Sequence, residues 1–373
     1  MKRTMFSMRF STSWFLVVMM VLSLCAASGV VLAVVTYDTT YVDDNGPLSG
    51  NHFQDIAAAL AQTEAGGTIY IAAGTYVLSS PLAPNNDVTF VGEGADRVFI
   101  DASGVSRAFD VQDVSFGLYG CTVFGASTCV MIQWDDDARD YAASLQGNAI
   151  HSAREPDTGV SVILSGTYGE VDIIGNAIHD NFGFGISFYL STNAELFSTI
   201  LDNDIYDNTG TGISLVADGS KVGMSIEKNM VYGNGTLTNN TGVYASFLHT
   251  DVEYLSIKGN TIHDNHGDGI HIVFTGMTEA PPPDGAVMVI AETLDISGNE
   301  IVRNVGNGIA IELGSLVPAP EGQGTFPFDV AGILSEAVIA DNRIDDNVQT
   351  GILIDTDTCF SPGSQDGAPQ QVV

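Results

Sequence analysis

The sequence predicts an all-β fold, a right-handed parallel β-helix solenoid with three short strands per coil and a short N-terminal capping helix. Two observations carry this: one pattern recurs through the second half of the chain, and within each copy apolar residues stand two apart between Asn and Gly. The copies are anchored at Asn176, Asn203, Asn229, Asn260, Asn299 and Asn342. Three residues before each anchor stands Ile173, Ile200, Ile226, Ile257, Ile296 or Ile339. Two after it comes Ile178, Ile205, Val231, Ile262, Ile301 or Ile344, and five after it a second Asn column, Asn181, Asn208, Asn234, Asn265, Asn304 and Asn347. Nine after it stand Gly185, Gly212, Gly269, Gly308 and Gly351, each followed by Ile. In the copy anchored at Asn229, four extra residues delay Gly242-Val243. A degenerate further copy surrounds Asn148, between Leu145 and Ile150.

Alternation with period two specifies strands, not helices. Three short strands cannot bury an apolar face alone, so the copies must stack, each strand pairing in parallel with its counterpart in the next copy. The Ile columns then form a continuous core. The Asn columns fall at the corners, where Asn tolerates the left-handed conformation. Their amides can bond the Asn above and below, which satisfies polar groups that burial would otherwise penalise. Handedness follows the rule for parallel crossovers. Roughly ten coils at one strand spacing each make a rod about 48 Å long.

Along the chain, the first element is an address. Lys2, Arg3 and Arg9 precede an apolar run over residues 14–24, and Val31-Leu32-Ala33 offers a signal-peptidase site, so residues 1–33 are expected to be a signal peptide cleaved after Ala33. The uncharged stretch 14–35 is also about long enough for a membrane anchor, which stays open as the alternative. Either way the remainder is expected to be secreted, extracellular or at the cell surface, with no membrane contact after cleavage. Residues 53–61 read as an amphipathic helix over the first coil, whose edge strands need covering. One β-helix domain is expected over 36–358 and a polar tail over 359–373. Anchor spacings grow from 27 and 26 to 31, 39 and 43 residues, through insertions at 274–291, with Pro281-Pro282-Pro283, and at 313–335, with Pro318, Pro320 and Pro327. Both follow the same strand of successive coils, and loops lengthening on one edge of a solenoid build a binding surface there.

Composition bounds the function. The chain has 373 residues, 12 Lys+Arg against 45 Asp+Glu, and a net charge of −33. No nucleic acid partner is expected, because phosphates need a basic footprint. With 45% hydrophobic and only 15% charged residues, the chain builds a large core and is not an acidic disordered tail. Beyond the signal the cysteines are Cys121, Cys129 and Cys359. Cys121 and Cys129 are read either as a disulfide or as small buried hydrophobes. Asn234-Gly235-Thr236 and Asn239-Asn240-Thr241 are glycosylation sequons.

The helix at 53–61, the Gly66-Gly67-Thr68-Ile69-Tyr70-Ile71-Ala72-Ala73-Gly74-Thr75-Tyr76 stretch and the Asn-rich repeats together resemble the pectate-lyase-like, right-handed β-helix superfamily. The resemblance implies a groove for an extended polysaccharide along one parallel sheet. In the polygalacturonase branch the catalytic carboxylates cluster at the strand reading Gly-Ile-x-Ile here. The outward positions of that sheet are Ser187, Ser214, Tyr244, His271, Ala310 and Leu353, then Tyr189, Val216, Ser246, Val273, Glu312 and Asp355. An acid/base pair must flank a glycosidic bond, and Asp268 with Glu312, on successive coils, is the best such pair, with His271 positioning substrate. One carboxyl is expected to be desolvated and protonated, the other ionised. Tyr244, His266, Asn307 and Asp355 are candidate substrate-binding residues. The sequence departs from the relatives: the Arg-x-Lys strand and paired aspartates of polygalacturonases, the catalytic base of the lyases and the Asp-Pro-His signature of the epimerases are all missing. Binding therefore ranks before chemistry. The expected function is polysaccharide binding, extending to a lyase, hydrolase or epimerase, and the rival is a non-catalytic surface or adhesion protein using the solenoid as a spacer.

Two further columns follow the anchors. His151, His179, Tyr206, Tyr232 and His263 read as rings stacking on one another, which needs no metal. One residue on, Asp180, Asp207, Asp264 and Asp346 bring like charges together, and a calcium ion at Asp180 and Asp207 would relieve them.

Overall fold

A computed structural model describes residues 36–46, 49–137, 139–155, 158–236, 240–276, 291–315 and 334–355. The signal segment 1–33, most of both Pro-rich insertions, Asn239, Cys359 and the tail 359–373 lie outside these residues. The chain winds into a right-handed parallel β-helix of about 9 turns with three sheets. In chain order a central coil supplies a long strand to sheet one, a three-residue strand to sheet two and a six- or seven-residue strand to sheet three, as in Tyr168–Ile174, Ala177–His179 and Ile186–Ser191. Sheets one, two and three contain 12, 10 and 9 strands among the described residues.

The register is the one the repeat predicts. Ile173, Ile200, Ile226, Ile257 and Ile296 pair in sequence on sheet one. Ile178, Ile205, Val231, Ile262 and Ile301 do so on sheet two, and Ile186, Ile213, Val243, Ile270 and Ile309 on sheet three. Nearly all of these side chains have no exposed surface, so the core is one continuous column of aliphatic groups.

Both Asn columns are ladders. The backbone N–H and Nδ2 of Asn176 each donate to Oδ1 of Asn203, and this contact repeats from Asn148 through to Asn342. The second ladder runs from Asn181 to Asn347 in the same way. The corner geometry differs from expectation in one respect. The left-handed residue is the one before each Asn: Gly175, Asp202, Lys228, Gly259, Gly298 and Asp341 ahead of the first ladder, Asp180, Asp207, Gly233, Asp264, Arg303 and Asp346 ahead of the second. A left-handed residue there turns the chain, so the following Asn can aim its amide inward.

Glycines at 185, 212, 242, 269 and 308 serve close approach instead. A Cβ on Gly269 would stand 2.7 Å from Gly308 O and 3.0 Å from Asn304 Nδ2, so the ladder amide of the next coil occupies that space. The N-terminal helix is a single turn, Ile56–Leu60, N-capped by Asp55, whose side chain accepts from the Ala58 N–H. The outermost strand of sheet one is the two-residue His52–Phe53, so that sheet ends on a strand. Cys121 and Cys129 are both free and buried, not bridged. Burial pushes both thiols up to about 12, which makes them inert small hydrophobes.

Candidate functional site

His271 lies on the outward side of the sheet-three strand Ile270–Gly276, between Tyr244 on one coil and Ala310 on the next. Its Nδ1 is 3.0 Å from Asp268 Oδ2, and its Nε2 is 3.3 Å from Glu312 Oε1. The first contact is a hydrogen bond. The second is an ion-pair approach whose geometry falls short of one, which leaves Nε2 a buried donor without a hydrogen-bond partner. The Tyr244 ring meets the imidazole edge-on, with centroids 5.6 Å apart and planes at 74°. Sequence reasoning therefore brings together a real constellation: Asp268, His271 and Glu312, with Tyr244 beside them.

Asp268 sits just before the strand, one residue ahead of Gly269, and its carboxylate is divided between two tasks. Oδ1 accepts the backbone N–H of Asn307, and Asn307 Nδ2 at 3.0 Å, both from the next coil. Oδ2 holds His271. Burial pushes the Asp268 carboxyl upward, but the bonds from His271 and Asn307 outweigh it and hold it below the usual aspartate range. The expected desolvated carboxyl that keeps its proton is thus not Asp268, which is 13% exposed and ionised. The hydrogen bond it donates to Asp268 raises the His271 imidazole above its ordinary value; burial opposes this, and the charges of Asp268 and Glu312 assist. Glu312 is about half exposed and available to solvent.

The other candidates separate. Asn307 is buried and structural on both sides, since its Oδ1 also accepts the Thr350 N–H at 3.1 Å. Asp355 is the register partner of Glu312, so the two carboxylates neighbour each other on sheet three. His266 is exposed at the preceding corner, its Nδ1 3.4 Å from Asn234 O, away from the strand that carries His271.

The ring column stacks as expected. His151, His179, Tyr206, Tyr232 and His263 lie 4.6–5.0 Å apart and within 13° of parallel, and Phe124 extends the stack at 5.4 Å. Asp180 and Asp207 stand at left-handed corners, with φ of 53° and 51°, which short polar side chains tolerate and which accounts for the acidic column without a ligand. They line a surface depression of about 410 Å³ with Glu155 and Phe182. Among the described residues no three His, Cys, Asp or Glu side chains converge as metal ligands. Calcium takes six to eight oxygens, so two carboxylates leave most of its shell to water and the fit is incomplete.

The sequon at Asn234 is closed. Its side chain has no exposed surface, and Nδ2 is committed to Ile205 O at 3.0 Å and to Asn265 Oδ1 at 3.1 Å.

Residues 107–280 match the family model described as right handed beta helix region. No curated protein matches the sequence. Among solved structures the chain is similar to pectate lyase Pel9A, at 15% identity over 91% of this chain and 89% of that one, with a TM-score of 0.45. It is also similar to the A-module of the mannuronan C-5 epimerase AlgE4 of Azotobacter vinelandii, at 14% identity over 81% and 91%, with a TM-score of 0.33. A third is the PL6 family polysaccharide lyase Pedsa3628 from Pseudopedobacter saltans, at 12% identity over 85% and 96%, with a TM-score of 0.22. The family match over this stretch and the three-sheet coil with its paired Asn ladders agree on one architecture, and the chain has the right-handed parallel β-helix fold.

Proposed function

We propose that the chain is a secreted protein that binds an extracellular polysaccharide along sheet three, with His271 at the centre of the contact. The observation that carries this reading is the Asp268–His271–Glu312 arrangement, which brings neighbouring outward columns of a continuous parallel sheet together. Its side chains recur at the strand spacing of about 4.8 Å, a geometry suited to an extended polymer and not to a compact ligand. Within the site Asp268 orients the ring. The Nε2 of His271 is buried against Glu312, and the half-exposed Glu312 carboxylate is the acceptor offered to sugar hydroxyls. The one-turn helix, which buries Ile56 and Ala59, closes the N-terminal end of the solenoid in the same reading.

A panel of neutral and uronic polysaccharides, assayed for binding and for release of reducing or unsaturated ends, tests the proposal. Retention of one polymer by the wild type and its loss in His271→Ala support it. Equal retention by both removes His271 from the contact. We include calcium at Asp180 and Asp207 as a loosely held ion. Millimolar calcium should then raise the melting temperature of the wild type and not of Asp207→Asn, because binding to the folded state alone stabilises it.

A further inference from the structure

One coil differs from all its neighbours on the face that carries His271. It exposes two aromatic rings there, Phe184 at 37% and Tyr189 at 49%, while Phe182, at 47%, stands at the preceding corner beside Asp180. The register places them relative to the site. Tyr189 pairs through Val216, Ser246 and Val273 to Glu312. Ser187 pairs through Ser214 and Tyr244 to His271. Phe184 heads the corner column that continues through Thr211 and Thr241 to Asp268, because the N–H groups of Gly185, Gly212 and Gly242 bond the carbonyls of Thr211, Thr241 and Asp268. The columns that hold Asp268, His271 and Glu312 therefore carry Phe184, Ser187 and Tyr189 earlier on the same face. His271 is three coils from Ser187, about 14 Å at one strand spacing each. Between them the His271 column holds Ser214, buried as part of the floor, and Tyr244, and the Tyr189 column holds Val216, Ser246 and Val273.

These rings differ from those of sheet two. In the Phe124-to-His263 stack both faces of each inner ring are covered by neighbours. Phe182, Phe184 and Tyr189 pack against no other ring among the described residues. Phe184 is seated over Gly210, where a Cβ would stand 3.1 Å from its Cδ1. Charge limits what can cover them. From Ile186–Ser191 to Ile352–Asp355 the six strands of this face contain Asp218, Glu312 and Asp355 and no Lys or Arg. The whole chain adds a net charge of −33. A polyanion would find no cation here beyond His271, which two carboxylates already hold, and it would be repelled over distance. Sugar rings present apolar C–H faces that stack on aromatic side chains without any charge.

We infer that the ligand is an uncharged polysaccharide, with Phe184 and Tyr189 as a stacking platform for one part of the chain and the His271–Glu312 pair as the polar contact for another. The inference rests on the polysaccharide reading above and narrows its substrate class. Affinity electrophoresis and calorimetry on the full chain, with xylan, galactan and a mixed-linkage glucan against polygalacturonate, alginate and chitosan, test it. The expected result is retardation by a neutral polymer that persists in about 0.5 M NaCl, where surface charge is screened. The double variant Phe184→Ala/Tyr189→Ala should then weaken binding at least tenfold with an unchanged melting temperature. Unchanged affinity in that variant, or a preference for a uronic polymer or chitosan, overturns the inference and leaves polysaccharide binding standing. Failure of every polymer to bind the wild type overturns both.

Discussion

Asn307 grips Asp268 twice, with its backbone N–H and its Nδ2 both donating to Oδ1 of the preceding coil. The same contact, from a side-chain oxygen to the N–H of the next coil, joins Thr211 to Thr241 and Asn307 to Thr350. Asp268 is therefore a rung of a minor corner ladder whose second oxygen is turned to a different use, holding His271. A structural position has been given a charge, and that charge sets the state of the imidazole.

Replacing Asp268 with Asn keeps an acceptor for the Asn307 N–H and removes the charge beside the ring. The His271 pKa, read by NMR titration, should fall by about one unit or more. Glu312→Gln should lower it less, because the Nε2 contact is longer. An unchanged titration in Asp268→Asn would mean that the ion pair does not form.

Stability should depend on pH through the same pair. The folded-state pKa of His271 is raised, so its contribution is complete below the ordinary value of 6.5 and is lost as pH rises through the folded value. That of Asp268 is lowered, so its contribution is present above the ordinary 3.8 and is lost as pH falls through the folded value. The melting-temperature difference between wild type and His271→Gln should be largest between these two ordinary values and should shrink toward alkaline pH. A difference independent of pH would contradict the coupling.

The core should be intolerant at both column types. Ile257→Asp or Ile296→Asp puts an unpaired charge where no surface is exposed and should cost several kcal/mol in urea unfolding. Gly269→Ala adds a Cβ against the Gly308 carbonyl and the Asn304 amide, and should cost about 1–3 kcal/mol. Wild-type melting of the Ile variants would show the register to be wrong.

Asn234 should behave as a ladder rung and not as a glycan acceptor. Asn234→Ala removes the oxygen that receives the Asn208 N–H and Nδ2, and should cost about 1–3 kcal/mol for the buried groups left unpaired. Glycopeptide mass spectrometry of protein from a glycosylating host should find that site bare. A glycan on Asn234 in folded protein would contradict the ladder.

The fold was legible because each coil repeats the same demand. An aliphatic column needs one residue type at one spacing, and Ile257 and Ile296 announce it without reference to anything distant. The corners were harder: Asn176 and Asn208 stand out as letters, but the left-handed residue before each is variously Gly, Asp, Lys or Arg. The acidic letters Asp180 and Asp207 suggested an ion, and only the backbone shows that the same positions are also left-handed corners. The Asn234 sequon and the second Asn column both claim the same residue, and three residues of sequence do not say which use wins. His271 with Asp268 and Glu312 could be found because the repeat supplies the register. Tyr189 was legible as an outward position from the same register, but Phe184 was missed, since a lone ring at a corner of a β-repeat reads as core until exposure is known.

The central claim, that a polysaccharide lies along sheet three across His271, is tested most directly by hydroxyl-radical footprinting of the wild type with and without the polymer that binds in the panel. Protection is predicted at Tyr189, Tyr244 and His271, with no change at Tyr41 and Tyr70 on the N-terminal coils. A bound polymer that leaves those three residues as reactive as in free protein, or shields a different face, would contradict it.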